Sequence, residues 1–173
     1  MQQQEYAEPY VKDGVGYIPL WGSGRRGSRG SRVCGWAMVD SEDYDSLAHR
    51  RWCSVAGYAM RREGGRWVQM HRLVLGLGRG KTDKRLTDHV NRNRLDNRKA
   101  NLRVVDGAQN AQNLSVRSGT SRHRGVSFDK HRGKWVAQGK VGSVTLWKLF
   151  DGEDEAAAAA LAFRREHMPY AVD

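Results

Sequence analysis

Residues 86–114, LTDHVNRNRLDNRKANLRVVDGAQNAQNL, are the stretch around which the rest of the chain is organised. An Asp-His pair, Asp88-His89, closes a short segment, and Asn101 follows after a polar loop. Leu102-Arg103-Val104-Val105 reads as a short strand, because apolar and β-branched residues stand between turn formers. Asp106 to Gln109 reads as a capping box. The helix it opens carries Asn110, Asn113 and Arg117 on one face, with Ala111 and Leu114 as a buried stripe. A carboxylate and an amide oxygen are hard ligands, suited to Mg²⁺ or Mn²⁺ with several waters left in place. A His beside such a ligand is a natural base for activating water. No thiol or second His lies close by in sequence to make a zinc site. The same residues also fit a polar hairpin and helix stabilised by Asn turns, and composition alone leaves both readings open.

At these positions the chain resembles the HNH endonucleases, in the branch whose last motif His is Asn. The resemblance implies a ββα-metal unit of two short strands and a helix. Residue by residue, it gives His89 as general base, Asp88 as first metal ligand and Asn110 as second ligand on the helix. Asn101, within Ala100-Asn101-Leu102-Arg103, is the central Asn that braces the loop between the strands. Leu95-Asp96-Asn97-Arg98 and Asn110-Ala111-Gln112-Asn113 also follow the family's pattern. The implied cofactor is one divalent ion, Mg²⁺ or Mn²⁺.

Charge points the same way independently. Lys plus Arg number 30 against 19 Asp plus Glu, a formal net charge of +11 on 173 residues, which calls for a polyanionic partner. Nucleic acid fits better than membrane, because no segment approaches roughly 18 continuous apolar residues. The N-terminus has no charged-then-apolar leader, so a cytoplasmic location in a bacterial or phage-infected cell is expected. Cys34 and Cys53 are too few for a disulfide framework and are expected to be small buried residues.

Before the motif, Gly22 to Arg32 is Gly/Ser-rich with four arginines; it cannot bury anything, and Arg25, Arg26 and Arg29 are candidate phosphate contacts. Cys34 to Val39 reads as a strand ended by Asp40, then a helix with acids in its first turn that Trp52 docks. Gly57–Arg62 and Arg66–Met70 flank Glu63-Gly64-Gly65 as a hairpin. His71 starts a helical turn and is read as a hydrogen-bonded structural residue, outside the catalytic set. Arg92, Arg94 and Arg98 ring the motif and are candidate DNA contacts.

After the polar linker Ser115–Arg122 the composition changes. Residues 124–128, 134–140 and 144–150 read as three strands, and Glu153–His167 as a helix, acidic at its start, with five alanines in the middle. Alanines allow close approach, so the helix is expected on the Trp135-Ala137-Gly139 face. That leaves Lys134, Val136, Gln138 and Lys140 opposite. Arg124-Gly125-Val126, Lys134-Trp135-Val136-Ala137, Phe150 and Glu155-Ala156-Ala157 make this part similar to the ethylene-response-factor (APETALA-type) DNA-binding domain. By that resemblance Arg124, Arg132, Gln138 and Lys140 contact DNA. Lys148 and Ser127 depart from its pattern, so no plant target sequence carries over.

The expectation is therefore an α+β chain in three parts: an N-terminal α+β region (1–65), an HNH ββα-metal nuclease (66–116) and a three-stranded sheet backed by one helix (117–173). Its function is expected to be site-specific, metal-dependent nicking of double-stranded DNA by a monomeric, homing-type endonuclease. The alternatives are a non-catalytic sequence-specific DNA-binding regulator with a relic nuclease unit and, third, an RNA-binding protein, which the lack of paired aromatic stacking motifs disfavours.

Overall fold

The computed structural model describes residues 7–22, 32–78, 83–113 and 119–172. It is an α+β chain that divides into two compact units, Met1–Asp106 and Gly107–Asp173.

The first unit is built on a six-stranded sheet. Its strands are β1 (Tyr10–Lys12), β2 (Val15–Trp21), β3 (Val33–Asp40), β4 (Trp52–Val55), β5 (Tyr58–Glu63) and β6 (Arg66–Gln69). β2 pairs with β3 along one edge; along the other it pairs with β1 first and then, parallel, with β4. Alternation sets the core: Ile18 and Leu20 on β2 and Ala37 and Val39 on β3 are fully buried, while Tyr17 and Trp36 face the other way. Helix α1 (Ser41–Ala48) adds Leu47 to that core, and the Trp52 indole N–H donates to Leu47 O at 2.9 Å, docking the helix end as its position suggested. The two-residue turn Gly64-Gly65 has φ of 55° and 75°, the left-handed pair that matches the twist of a hairpin.

One sequence expectation needs correction here. Cys34 is exposed and Cys53 half-buried, since both lie on strands at positions that turn away from the core. Asp40 stands at the N-cap of α1, yet its side chain does not cap that helix; its Oδ2 accepts the backbone N–H of Lys99 at 2.7 Å.

That bond is one of several that fasten the loop carrying the motif. After α2 (Met70–Val74), strands β7 (Leu86–His89) and β8 (Leu102–Val105) form a separate antiparallel pair, with Asp88 opposite Arg103 and His89 opposite Leu102. The connection between them lies against the free edge of β3: Met38 N–H donates to Leu95 O at 2.8 Å and Asn97 N–H to Met38 O at 2.7 Å. The sheet thus fixes the loop from outside.

The second unit holds α3 (Gly107–Gln112), β9 (Val126–Asp129), β10 (Lys134–Val141), β11 (Val144–Phe150) and α4 (Glu153–His167). β10 is the middle strand of an antiparallel three-stranded sheet. The second and third strands and the helix fall where the sequence puts them, whereas the first, expected over 124–128, begins only at Val126, because Arg124 and Gly125 (φ +79°) form a turn. The packing face is the expected one: Ala137, Ala156 and Ala160 are buried together with Val126, and an added Cβ on Gly139 would meet the Phe163 ring at 2.7 Å. Val136, expected on the open face, is buried. Helix α3 is only six residues long, with Ala111 exposed and Asn113 buried, so the expected Ala111 stripe is absent; Leu114 and Arg117 lie outside the described residues. The helix ends where the Arg124 guanidinium takes the carbonyls of Gln112 (2.6 Å) and Ala111 (3.4 Å).

Candidate active site

Strand β7 ends on two buried polar residues, Asp88 and His89, which pleating sends to opposite faces. Asp88 looks across the ladder at Arg103, whose Nε and Nη2 both donate to Asp88 Oδ2, at 2.8 and 2.6 Å. His89 turns toward the loop that follows. There Asn101 closes the connection from its far end: its Oδ1 accepts the Asn91 N–H, its Nδ2 donates to Asp96 O, both at 2.8 Å, and its own O accepts the Val90 N–H at 2.9 Å. Asp96, 1% exposed, accepts Asn91 Nδ2 at 2.9 Å and two bonds of 2.7 Å from Arg98. Burial alone would raise the Asp96 carboxyl; the hydrogen bonds and charge of Arg98 hold it below the ordinary range instead. Every buried polar group in this loop that these bonds reach is therefore satisfied locally, which is how so polar a segment can be packed.

His89 is 5% exposed and sits against two rings: His71, edge-on at 5.2 Å, and Tyr58 at 6.0 Å. Its Nε2 lies 3.4 Å from Asn97 Oδ1. Burial lowers the His89 pKa from its ordinary value; the Asn97 contact, Asp88 and Asp96 work against that shift, and the Arg94 charge adds to it. The balance favours neutral imidazole, the form a general base needs. His71 is 4% exposed, and its Nδ1 has no hydrogen-bond partner among the described residues. Burial, with His89 and Arg72 nearby, pushes its pKa down to about 3. The sequence predicts a hydrogen-bonded structural histidine; the Nδ1 lacks that bond, and the ring instead packs edge-on against His89.

Asp88, His89 and Asn101 all belong to the first unit; Asn110, half-buried on α3, is carried by the second. For a divalent ion, the first unit offers the Asp88 carboxylate, a hard oxygen donor of the type Mg²⁺ and Mn²⁺ take with several waters retained. Its Oδ2 accepts both bonds from Arg103, and the chemistry of a carboxylate fits such an ion. The one His/Cys/Asp/Glu group among the described residues with metal-like spacing lies elsewhere, at Asp40, Glu42 and Asp43. The Lys99 ammonium already pairs with Glu42 at 2.5 Å and Asp43 at 3.1 Å, so the cation of that cluster is a side chain.

The candidate DNA contacts fall into three groups. Arg92 and Arg94 are exposed beside the site, Arg94 donating to Ala56 O at 3.1 Å and stacking over Tyr58 at 4.7 Å, while Arg98 is committed to Asp96. In the second unit, Gln138 and Lys140 are exposed on the sheet. Arg132 pairs with Asp129 at 2.7 Å beneath the exposed Trp147 ring, and Arg124 is turned inward to α3 and shares the unit's interior bonds. Arg25, Arg26 and Arg29 lie outside the described residues. Sequence reasoning missed Arg103, Asn97 and Tyr58. Arg103 was recoverable once residues 86–89 are paired with 102–105, and Asn97 stood in a stretch already marked as motif-like. Tyr58, 31 residues upstream of His89, left no local signal.

A carboxylate and a buried imidazole thus follow one another at the end of a hairpin strand whose loop is braced by amides, residue types that can bind a cation and take a proton from water. The chain is similar to an uncharacterized HNH endonuclease, L560, of Acanthamoeba polyphaga mimivirus, 27% identical over 151 residues, which span 86% of this chain and 74% of that protein. No family model and no solved structure matches the chain.

Proposed function

We propose that this chain is a DNA endonuclease of the HNH type, a homing-type enzyme that nicks double-stranded DNA at a chosen site as a monomer, with Mg²⁺ or Mn²⁺, in the cytoplasm of a bacterial or phage-infected cell. The observation that carries the reading is His89: a buried imidazole, kept neutral, next to Asp88 and held by the braced loop. Similarity to a protein named an HNH endonuclease supports it.

Asp88 and Asn110 are the residues that would hold the ion, which when bound supplies Lewis-acid stabilisation of the phosphate and the leaving oxygen. His89 takes a proton from water, whose oxygen attacks phosphorus in line, leaving a 5′-phosphate and a 3′-hydroxyl. Asn101 keeps the loop in shape around His89. Arg92 and Arg94, exposed near the site, contact the strand's phosphates, and Arg25, Arg26 and Arg29 are further phosphate contacts in this reading. The second unit reads sequence as an ethylene-response-factor-type sheet, with Gln138 suited to adenine, Lys140 and Arg132 to phosphate or guanine, and Arg124 once released from α3.

A second reading, a DNA-binding regulator with a relic site, draws on one observation: Arg103 occupies Asp88 Oδ2, and a guanidinium competes with a cation for a carboxylate. Supercoiled plasmid carrying the flanking DNA of the source genome, incubated with protein and Mg²⁺ or Mn²⁺, decides between them. EDTA-sensitive nicking that is lost in Asp88→Ala establishes the enzyme. Tight duplex binding without nicking in either metal establishes the regulator.

A further inference from the structure

Strand β6 leaves the core abruptly: Val68 is 6% exposed and Trp67, next to it, 43%. Alternation puts the indole and the Gln69 side chain on one face of the strand. Helix α2 follows at once and separates two environments. His71 turns to the His89 ring, whereas Arg72 and Leu73 wall a cavity of about 230 Å³ that Trp67 lines from the strand side. The far wall, Leu77-Gly78, is fastened in place. Leu77 N–H donates to Arg72 O at 2.7 Å. The buried Arg72 guanidinium donates to the carbonyls of Gly78 and Arg85 at 2.7 Å and of Asp83 at 2.9 Å. A guanidinium so committed belongs to the wall and leaves the cavity to the indole and the amide.

Size, chemistry and charge narrow what enters. Sites for drug-sized ligands run to roughly 300–1,000 Å³, so this smaller cavity takes a single flat ring system. The exposed indole offers such a ring a stacking surface. The Gln69 amide, bonded to nothing among the described residues, presents a donor and an acceptor side by side, as a base edge requires. The rim is cationic. Arg62 lies 5.5 Å over the Trp67 ring and Arg66 precedes it in the chain. Among the described residues neither arginine pairs with a carboxylate, while Glu63, at the same rim, is held by Arg61 at 3.3 Å.

We propose that this cavity is a nucleobase site: one unstacked base of the bound DNA lies on Trp67 and meets Gln69, and its flanking phosphates rest on Arg62 and Arg66. This contact, which rests on the reading of DNA as substrate, lies on the other side of α2 from His89. Taking a base out of the helix costs stacking and pairing, and costs least where the base is already unpaired. A duplex mismatched at the position that reaches the cavity is therefore bound more tightly than the fully paired one.

Fluorescence anisotropy of the full chain reads this on target duplexes that each carry a single mismatch. The mismatch is moved one base pair at a time through the nick, or through the protected footprint where no nick forms. The expected profile has one position at which the mismatch tightens binding about 10-fold. Trp67→Ala is expected to remove that gain, and Trp67→Phe, which keeps a flat ring, to retain most of it. Leu73→Trp fills the cavity and leaves the indole of residue 67 in place, so it is expected to lose the gain even if the Ala variant fails to fold. A flat wild-type profile overturns the proposal, as does a gain that survives in Trp67→Ala or in Leu73→Trp. A gain tied to Trp67 in a protein that never nicks leaves the base site standing and defeats the nuclease reading. Nicking with a flat profile does the reverse.

Discussion

His71 ties this fold to pH. Its imidazole is buried against a second imidazole and near Arg72, so a proton there has no counter-charge and costs far more than in the unfolded chain. The folded pKa of about 3 lies below the ordinary 6.5, so between those values the unfolded state binds the extra proton, and stability falls as pH drops through that window. His89 is shifted in the same direction, and Asp96, held low by Arg98, adds its own loss further into acid. Urea midpoints should show the first unit losing about 2 kcal/mol from His71 alone between about pH 7 and pH 5. His71→Phe, which keeps a ring against His89, should flatten that slope without lowering stability at neutral pH; an unchanged slope would place the acid sensitivity elsewhere. For the chemistry, His89→Ala should cut nicking by roughly 10²–10⁴-fold, measured at fixed plasmid occupancy, while duplex affinity stays within about twofold.

At the scale of elements, what could be read ahead of the structure follows from how locally each element is determined. The second unit was legible almost throughout, because Trp135, Ala137 and Gly139 alternate on one strand and the alanine run Ala156–Ala160 declares a helix that packs closely. Two glycines carry that closeness. A Cβ on Gly139 meets the Phe163 ring at 2.7 Å, and Gly125, at φ +79°, would place one 2.7 Å from Gln138 O. Gly125→Ala, strained in both backbone and space, should cost about 1–3 kcal/mol and lower the melting temperature of the second unit more than Gly139→Ala does, since a ring can shift and a strand carbonyl cannot. Equal losses would mean that β10 itself yields. The site loop was only half legible. Its turn residues announce themselves, but the bonds that fasten it reach back to β3 and to Asp40, some 59 residues away, and no local pattern encodes them. For the same reason Asp40, which the sequence places only at a strand end and helix start, gives its carboxylate to the loop. Cys34, read as buried because its neighbours are apolar, sits on the outward phase of β3.

For the whole molecule, the excess of positive charge is spread over both units, and its meaning is a binding equilibrium rather than a fold. If phosphate contact dominates, each neutralised phosphate releases counter-ions, and log affinity for duplex DNA falls linearly with log salt. Residues of the second unit then separate by what they touch. Lys140→Ala, on the exposed sheet face, should reduce the magnitude of that slope by about 1 and weaken target and non-target duplexes alike. Gln138→Ala should leave the slope untouched and cost about 1–3 kcal/mol of preference for the target over a scrambled duplex, because an amide reads a base edge and neutralises nothing. Fluorescence anisotropy titrations with both duplexes across a salt series measure the two quantities at once. A Gln138 variant that loses affinity equally for both duplexes, at unchanged slope, would move base reading off this sheet and onto the basic residues around β7 and its loop. In that case the site that cuts would also be the one that chooses.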